Sequence, residues 1–133
     1  MICAPRHSVM KRSCLTKLAV VAWLATFTPA HAGLPRLLSY QAKNHIGDNA
    51  TVCGLVVSTE LVESSHRSAT FLDLDHPRPH QPFTIVIWGD HRAKFGTPEV
   101  ALANRRVCVT GMIEDFRGTP EIIATDPSQI RAQ

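Results

Sequence analysis

Thr51 to Thr59 reads T-V-C-G-L-V-V-S-T, and Arg106 to Phe116 reads R-V-C-V-T-G-M-I-E-D-F. Both runs are rich in β-branched residues, which fit a pleated surface, and both hold an interior glycine, where a strand bulges or bends sharply. Between them, Ala69 to Leu74 (A-T-F-L-D-L) and Phe83 to Trp88 (F-T-I-V-I-W) supply a second and a third strand, joined by the proline-stiffened segment Asp75 to Pro82. Glu121 to Ala124 forms the core of a fifth strand after the tight turn Arg117-Gly118-Thr119-Pro120. Five short strands with glycines in the first and fourth are what a small closed sheet requires, because closing so few strands forces some of them to bend hard.

The connecting segments fit this pattern. Gly33 to Asn49 is a polar lead-in with a helical turn or two at Leu37 to Lys43. Glu60 to Ser68 is a polar loop with a short strand continuation at Leu61-Val62, and Gly89 to Phe95 is a turn. Thr97 as N-cap and Pro98 at the first helical position open a short helix through about Ala103, between the third and fourth strands. Ile130 is a last apolar anchor.

The chain has 133 residues, enough for one domain, with 44% hydrophobic and 19% charged residues and a formal net charge of +3. That charge is concentrated at the start. Arg6, Lys11, Arg12 and Lys17 precede or open the apolar stretch Leu18 to Phe27, and Pro29-Ala30-His31-Ala32 completes a helix breaker and an A-x-A cleavage pattern. Residues 1–32 therefore read as a bacterial-looking secretory signal peptide, with Met10 as an alternative start, and residues 33–133 as the working domain in the periplasm or secreted. The apolar stretch is about half of what spans a bilayer, so no membrane association is expected after cleavage. Removing four of the fourteen basic residues leaves ten against eleven acidic ones, a mature charge of −1. Long-range attraction to phosphate is then weak. Only Cys53 and Cys108 remain, in a compartment that permits disulfides.

Thr51 to Val56, Phe71 to Asp75, Phe83 to Trp88, Val107 to Ile113 and Arg117 to Ile123, in that order and spacing, resemble the oligonucleotide/oligosaccharide-binding (OB) fold, specifically the nucleic-acid-binding domains of the tRNA-anticodon type. The resemblance covers about residues 38 to 131. It implies an all-β, five-stranded Greek-key OB-fold barrel with a short helix between strands 3 and 4. It also implies a ligand lying across the outer face of the second and third strands, framed by the loops after the first and fourth. On this chain those loops are Glu60 to Ser68 and Arg117 to Thr119, and the face residues are Thr70, Thr84 and Trp88. The first and fourth strands neighbour each other in such a barrel, so Cys53 and Cys108 are expected either as a disulfide or as two buried thiols.

Single strands bind by stacking bases on exposed rings and setting cations on the backbone. Alternation along the third strand puts Phe83, Ile85 and Ile87 on the core face and Trp88 on the other, so Trp88 is the stacking candidate and a lid over the barrel end is its alternative role. Phe71 and Phe95 are expected in the core, and Phe116, beside the Arg117 turn, fits either place. Arg67, Arg78 and Arg117 are the phosphate candidates. Arg92, Lys94, Arg105 and Arg106 are nearby, but so are Glu60, Glu63, Asp73, Asp75, Asp90, Glu114 and Asp115, which makes a mixed groove.

His45, His66, His76, His80 and His91 raise the question of zinc or copper capture. Pro77 and Pro79 prevent His76 and His80 from sharing a helix face, so solvated loop histidines are expected, with no metal or other cofactor. No Ser-His-Asp arrangement, phosphate-binding glycine loop or H-E-x-x-H is present, and no enzyme is expected. Asn49-Ala50-Thr51 fits a glycosylation sequon, accidental under a bacterial leader. The expected function is a non-catalytic exported module for single-stranded nucleic acid or oligonucleotides. The alternative is an envelope module for a protein partner or an oligosaccharide.

Overall fold

The computed structural model describes residues 33–133; the expected signal peptide, residues 1–32, and the alternative start at Met10 lie outside the described residues. Eight strands form one curled sheet: β1 (Arg36–Leu38), β2 (Asn49–Glu63), β3 (Ser68–Leu74), β4 (Phe83–Trp88), β5 (Arg106–Met112), β6 (Glu114–Phe116), β7 (Thr119–Ile123) and β8 (Ile130–Ala132). Their order is β6-β7-β4-β3-β2-β5-β8, with β1 parallel to β2. Two short helices, α1 (Gly89–Phe95) and α2 (Pro98–Ala101), follow β4, and 3-10 turns occupy Ser39–Asn44 and Pro127–Gln129. This is an all-β, OB-like architecture, but it has eight strands where the sequence suggested five.

The three extra strands have separate causes. Arg36–Leu38 extends alongside β2 where the helical turn was expected to start, and that turn begins two residues later than expected, as the Ser39–Asn44 3-10 turn. Ile130 does anchor the C-terminus, and it does so within a strand, opposite Val109. The expected fourth strand breaks into β5 and β6 at Ile113. That residue's amide donates to the Asp48 carbonyl at 2.9 Å, and its carbonyl accepts from the Gly47 amide at 2.8 Å. Ile113 therefore bonds to the turn before β2 instead of continuing the ladder, and its side chain is buried.

β2 organises the sheet. Its first half, Asn49 to Leu55, pairs with β5, and its second half, from Val56 to Glu63, pairs with β3 after a register shift between Val56 and Ser58. The bend thus falls at the shift, two residues beyond Gly54. Gly54 is required for close approach: a Cβ there would lie 2.7 Å from Asp75 Oδ2, and that carboxylate is fixed by the Leu55 amide, which donates to Oδ1 at 2.9 Å, and by Ser39 Oγ, which donates to Oδ2. Gly111 has the same role in β5, where a Cβ would come within 2.8 Å of Ile122 Cγ2. Val52, Val56, Leu72, Leu74, Phe83, Ile85, Ile87, Val107, Val109 and Ile122 fill the interior, with Phe95 packed partly buried against it. Burying each such side chain contributes about 1.5–3 kcal/mol.

Two connections differ from expectation. The expected strand continuation at Leu61-Val62 is present and extends over Glu60 to Glu63, each of which has a partner in β3, so the loop shrinks to Ser64–Arg67. Gly89 to Phe95 is helical instead of a turn; it buries none of its residues and is held to α2 by an ion pair between Arg92 and Glu99.

Candidate functional site

Side chains alternate across a strand, and residues opposite each other in a ladder share a face. Trp88 lies opposite Ala69, Val86 opposite Phe71, and Thr84 opposite Asp73, so these six define the outer face of β3 and β4. Thr70 lies opposite Ile87 on the inner face and is fully buried, its hydroxyl without a hydrogen-bond partner. Its expected place on the outer face is therefore corrected by the register. Thr84 faces outward as expected, yet it is only 2% exposed, because Asp73, Arg78 and the neighbouring rings cover it. It forms the floor of the face and is not a contact surface.

Three arginines lie over three aromatic rings on this surface. Arg67 leaves the β2–β3 turn and places its Cζ 4.4 Å from the centre of the Trp88 ring. The turn is tight: the Ser64 amide donates to the Arg67 carbonyl at 3.0 Å, and the Arg67 amide donates to Ser64 Oγ at 3.0 Å. Arg78, from the loop between β3 and β4, lies 4.4 Å above Phe71. Arg117 lies 5.2 Å from the Phe116 ring. The β6–β7 hairpin that carries this last pair turns through Arg117 and Gly118 with φ of 52° and 89°, the left-handed pair of a two-residue turn whose twist matches its strands. Each contact of this kind contributes about 0.5–1 kcal/mol where it is exposed.

The arginines differ in what meets their charge. Arg78 Nε donates to Asp73 Oδ2 at 2.9 Å, Asp73 Oδ1 accepts from Thr84 Oγ1 at 2.8 Å, and Glu60 Oε2 lies 3.7 Å from Arg78 Nη1. Asp73 is fully buried, so this guanidinium is fixed over Phe71 by a carboxylate with little other solvation. Arg67 and Arg117 make no ion pair among the described residues. Glu121, opposite Glu114 in the ladder, holds its proton more tightly than an ordinary glutamate, first because burial disfavours its charge and then because of Glu114.

Two clefts result. One of about 220 Å³ brings together Phe71, Arg78, Thr84, Phe116, Arg117 and Glu121. The other, about 390 Å³ and polar, lies between the Ser64–Ser68 turn and the start of α1, with Arg67 and Trp88 in its wall. Of the residues singled out from sequence, the structure gathers Arg78, Thr84, Phe116 and Arg117 in the first cleft and Arg67 and Trp88 in the second, and it leaves Thr70 in the core. Phe71 was expected in the core but lies on the outer face; the signal was its parity with Asp73, opposite to that of Leu72 and Leu74. Among the described residues, no three His, Cys, Asp or Glu side chains gather into a group able to hold a metal ion. His45 meets Asp48 at 3.1 Å.

On the sheet half away from these clefts, Cys53 and Cys108 face each other across β2 and β5 and are joined in a disulfide with an S–S distance of 2.07 Å. Among the described residues, no helix is long and apolar enough to cross a membrane.

No family model matches the chain, and no curated protein matches it in sequence. Its fold is similar to that in the crystal structure of yeast Stn1 and Ten1, with a TM-score of 0.54 and 13% identity over 80% of this chain. The match spans 66% of that chain, and at this identity the likeness is one of fold.

Proposed function

We propose that the chain is an exported, non-catalytic OB-fold module of the tRNA-anticodon-binding type, and that it engages single-stranded nucleic acid or short oligonucleotides across the outer face of β3 and β4. The observation that carries this reading is the set of three arginine-covered rings: Trp88 with Arg67, Phe71 with Arg78, and Phe116 with Arg117. Nucleobases are flat and stack on rings and on guanidinium planes alike. Arg67 and Arg117, at the two ends of the face, are the cations for phosphate. Arg78, already met by Asp73 and Glu60, is a rigid stacking platform. Export is supported by the leader pattern of residues 1–32 and is compatible with the disulfide.

Titration of a fluorescent single-stranded oligonucleotide tests this. Two or three phosphate contacts give a log–log salt slope of about −1.5 to −2. Trp88→Ala weakens binding by about 1–3 kcal/mol, the usual effect of removing one stacking ring. Absence of binding at low salt, or binding indifferent to Trp88→Ala, overturns the proposal. One observation favours the second reading, an oligosaccharide or an envelope protein as ligand: Glu60, Asp73, Glu114, Asp115 and Glu121 lie in or beside the face and outnumber its arginines. Binding to a neutral oligosaccharide would be nearly independent of salt.

A further inference from the structure

Away from the arginine-covered rings, a cavity of about 370 Å³ opens beside the disulfide, its wall mainly apolar and formed by Leu38, Tyr40, Cys53, His76, Pro82 and Arg106. Asp75 and Ser39 also border it, but they are bonded to each other, and Asp75 additionally accepts from the Leu55 amide. Arg106 is the arginine that lines this cavity, across from the hydrogen-bonded Asp75 carboxylate. Cys53 lines this cavity and Cys108 does not. On the other sulfur, Arg36 Nη2 donates to Cys108 Sγ at 3.3 Å, while the same nitrogen donates to Gln133 Oε1 at 2.9 Å. The two cysteines of one disulfide, both nearly buried, thus differ in surroundings: Cys53 borders a cavity, and Cys108 has a guanidinium against its sulfur.

We propose that the Cys53–Cys108 disulfide is a thiol-exchange site for anionic low-molecular-weight thiols, which attack Cys53 from the cavity and expel Cys108. The incoming thiolate bonds to Cys53 Sγ as the Cys53–Cys108 bond breaks, and the bonding pair leaves on Cys108 Sγ as a thiolate beside Arg36. The attacking sulfur is oxidised to the mixed disulfide and the Cys108 sulfur is reduced; no other reagent is consumed, and reversal restores the original bond. The direction follows from general exchange chemistry, in which access selects the sulfur attacked and a stabilised thiolate leaves faster. An anionic thiol is favoured because Arg106 borders the entry path.

The test uses the oxidised full chain, with 3-mercaptopropionate as the anionic probe and cysteamine as its cationic comparator. The two are compared at equal thiolate concentration and low ionic strength, under conditions where circular dichroism shows the protein folded. After short incubations, free thiols are capped with N-ethylmaleimide and the peptides are mapped by mass spectrometry. The expected result is the probe on Cys53, maleimide on Cys108, and faster reaction with the anionic thiol. Arg36→Ala slows exchange roughly three- to tenfold, whereas Arg36→Lys stays within about twofold of the unchanged protein. Probe on Cys108, equal probe on both cysteines, no adduct while the protein stays folded, or no rate change in Arg36→Ala each overturns the proposal. The site of attack is measured on the unchanged protein, so a poorly folding variant leaves the test intact.

Discussion

The two halves of β2 both carry β-branched residues but have different surroundings. From Asn49 to Leu55 the strand pairs with β5 on one edge and, over Thr51 to Cys53, with β1 on the other, and it is tied covalently at Cys53. From Val56 to Glu63 it has β3 alone as a strand partner, and it runs on to Leu61 and Val62, which are 36% and 41% exposed. The covalent tie and the two-sided pairing therefore fall on the first half and the exposed stretch of strand on the second, and one strand with a register shift connects them. The face of β3 and β4 carries costly features, among them the buried Asp73 carboxylate and the opposed pair Glu114 and Glu121.

The strongest way to break the comparison is to remove the covalent tie. The disulfide spans a sequence separation of 55 residues, and a chain-entropy account gives it about 4 kcal/mol. A Cys53→Ala, Cys108→Ala protein should lose up to that amount in chemical denaturation while its folded fraction keeps wild-type oligonucleotide affinity. An affinity that falls with stability would show that the two halves are not independent.

On the accessible half, Asp73→Ala is the most damaging single change expected. It strands the Thr84 hydroxyl and releases Arg78 from Phe71, at a cost of about 2–3 kcal/mol; the loss is less than for a fully buried pair because Arg78 is partly exposed and can return to water. Asp73→Asn should recover part of this, because the amide oxygen can still accept from Thr84. Equal denaturation midpoints for Asp73→Ala and the unchanged protein would mean that the carboxylate does not hold the face together.

The sequence disclosed these halves unequally. β4 was legible to the residue because Phe83, Ile85 and Ile87 alternate without a break and prolines and a glycine bound the run. The Arg117-Gly118 turn was legible from its residue types. The face of β3 was not: T-F-L-D-L admits two parities, and assigning Phe71 to the core by hydrophobicity moved Thr70 outward. Asp73 fixes the choice, since Arg78 returns over it from a loop five residues away, and no local pattern announces that contact. The continuation of β2 at Leu61-Val62 was legible, but its flanks at Glu60 and Glu63 were not, because these residues are exposed and their polarity reads as a loop. α1 was hidden for a related reason: a seven-residue helix that sets only Phe95, and that only partly buried, against the core leaves no apolar stripe to read.

The smallest expected effect sharpens the comparison most, because it separates stability from binding on one residue. Burial and Glu114 raise the Glu121 carboxyl above its ordinary range, so the folded protein binds this proton more tightly than the unfolded chain does. Its contribution is then most favourable in acid and is lost as pH rises through the raised value. Glu121→Gln removes that loss and should stabilise the protein at neutral pH by less than about 1 kcal/mol, discounted for its partial exposure, with no gain in acid. It should also strengthen oligonucleotide binding at pH 7, because one carboxylate leaves the cleft that holds Arg78 and Arg117. A stability gain that persists in acid would mean that the carboxylate's charge is not the cause. A gain in stability without a gain in affinity would place the ligand outside this cleft and leave Arg67 and Trp88 to hold it.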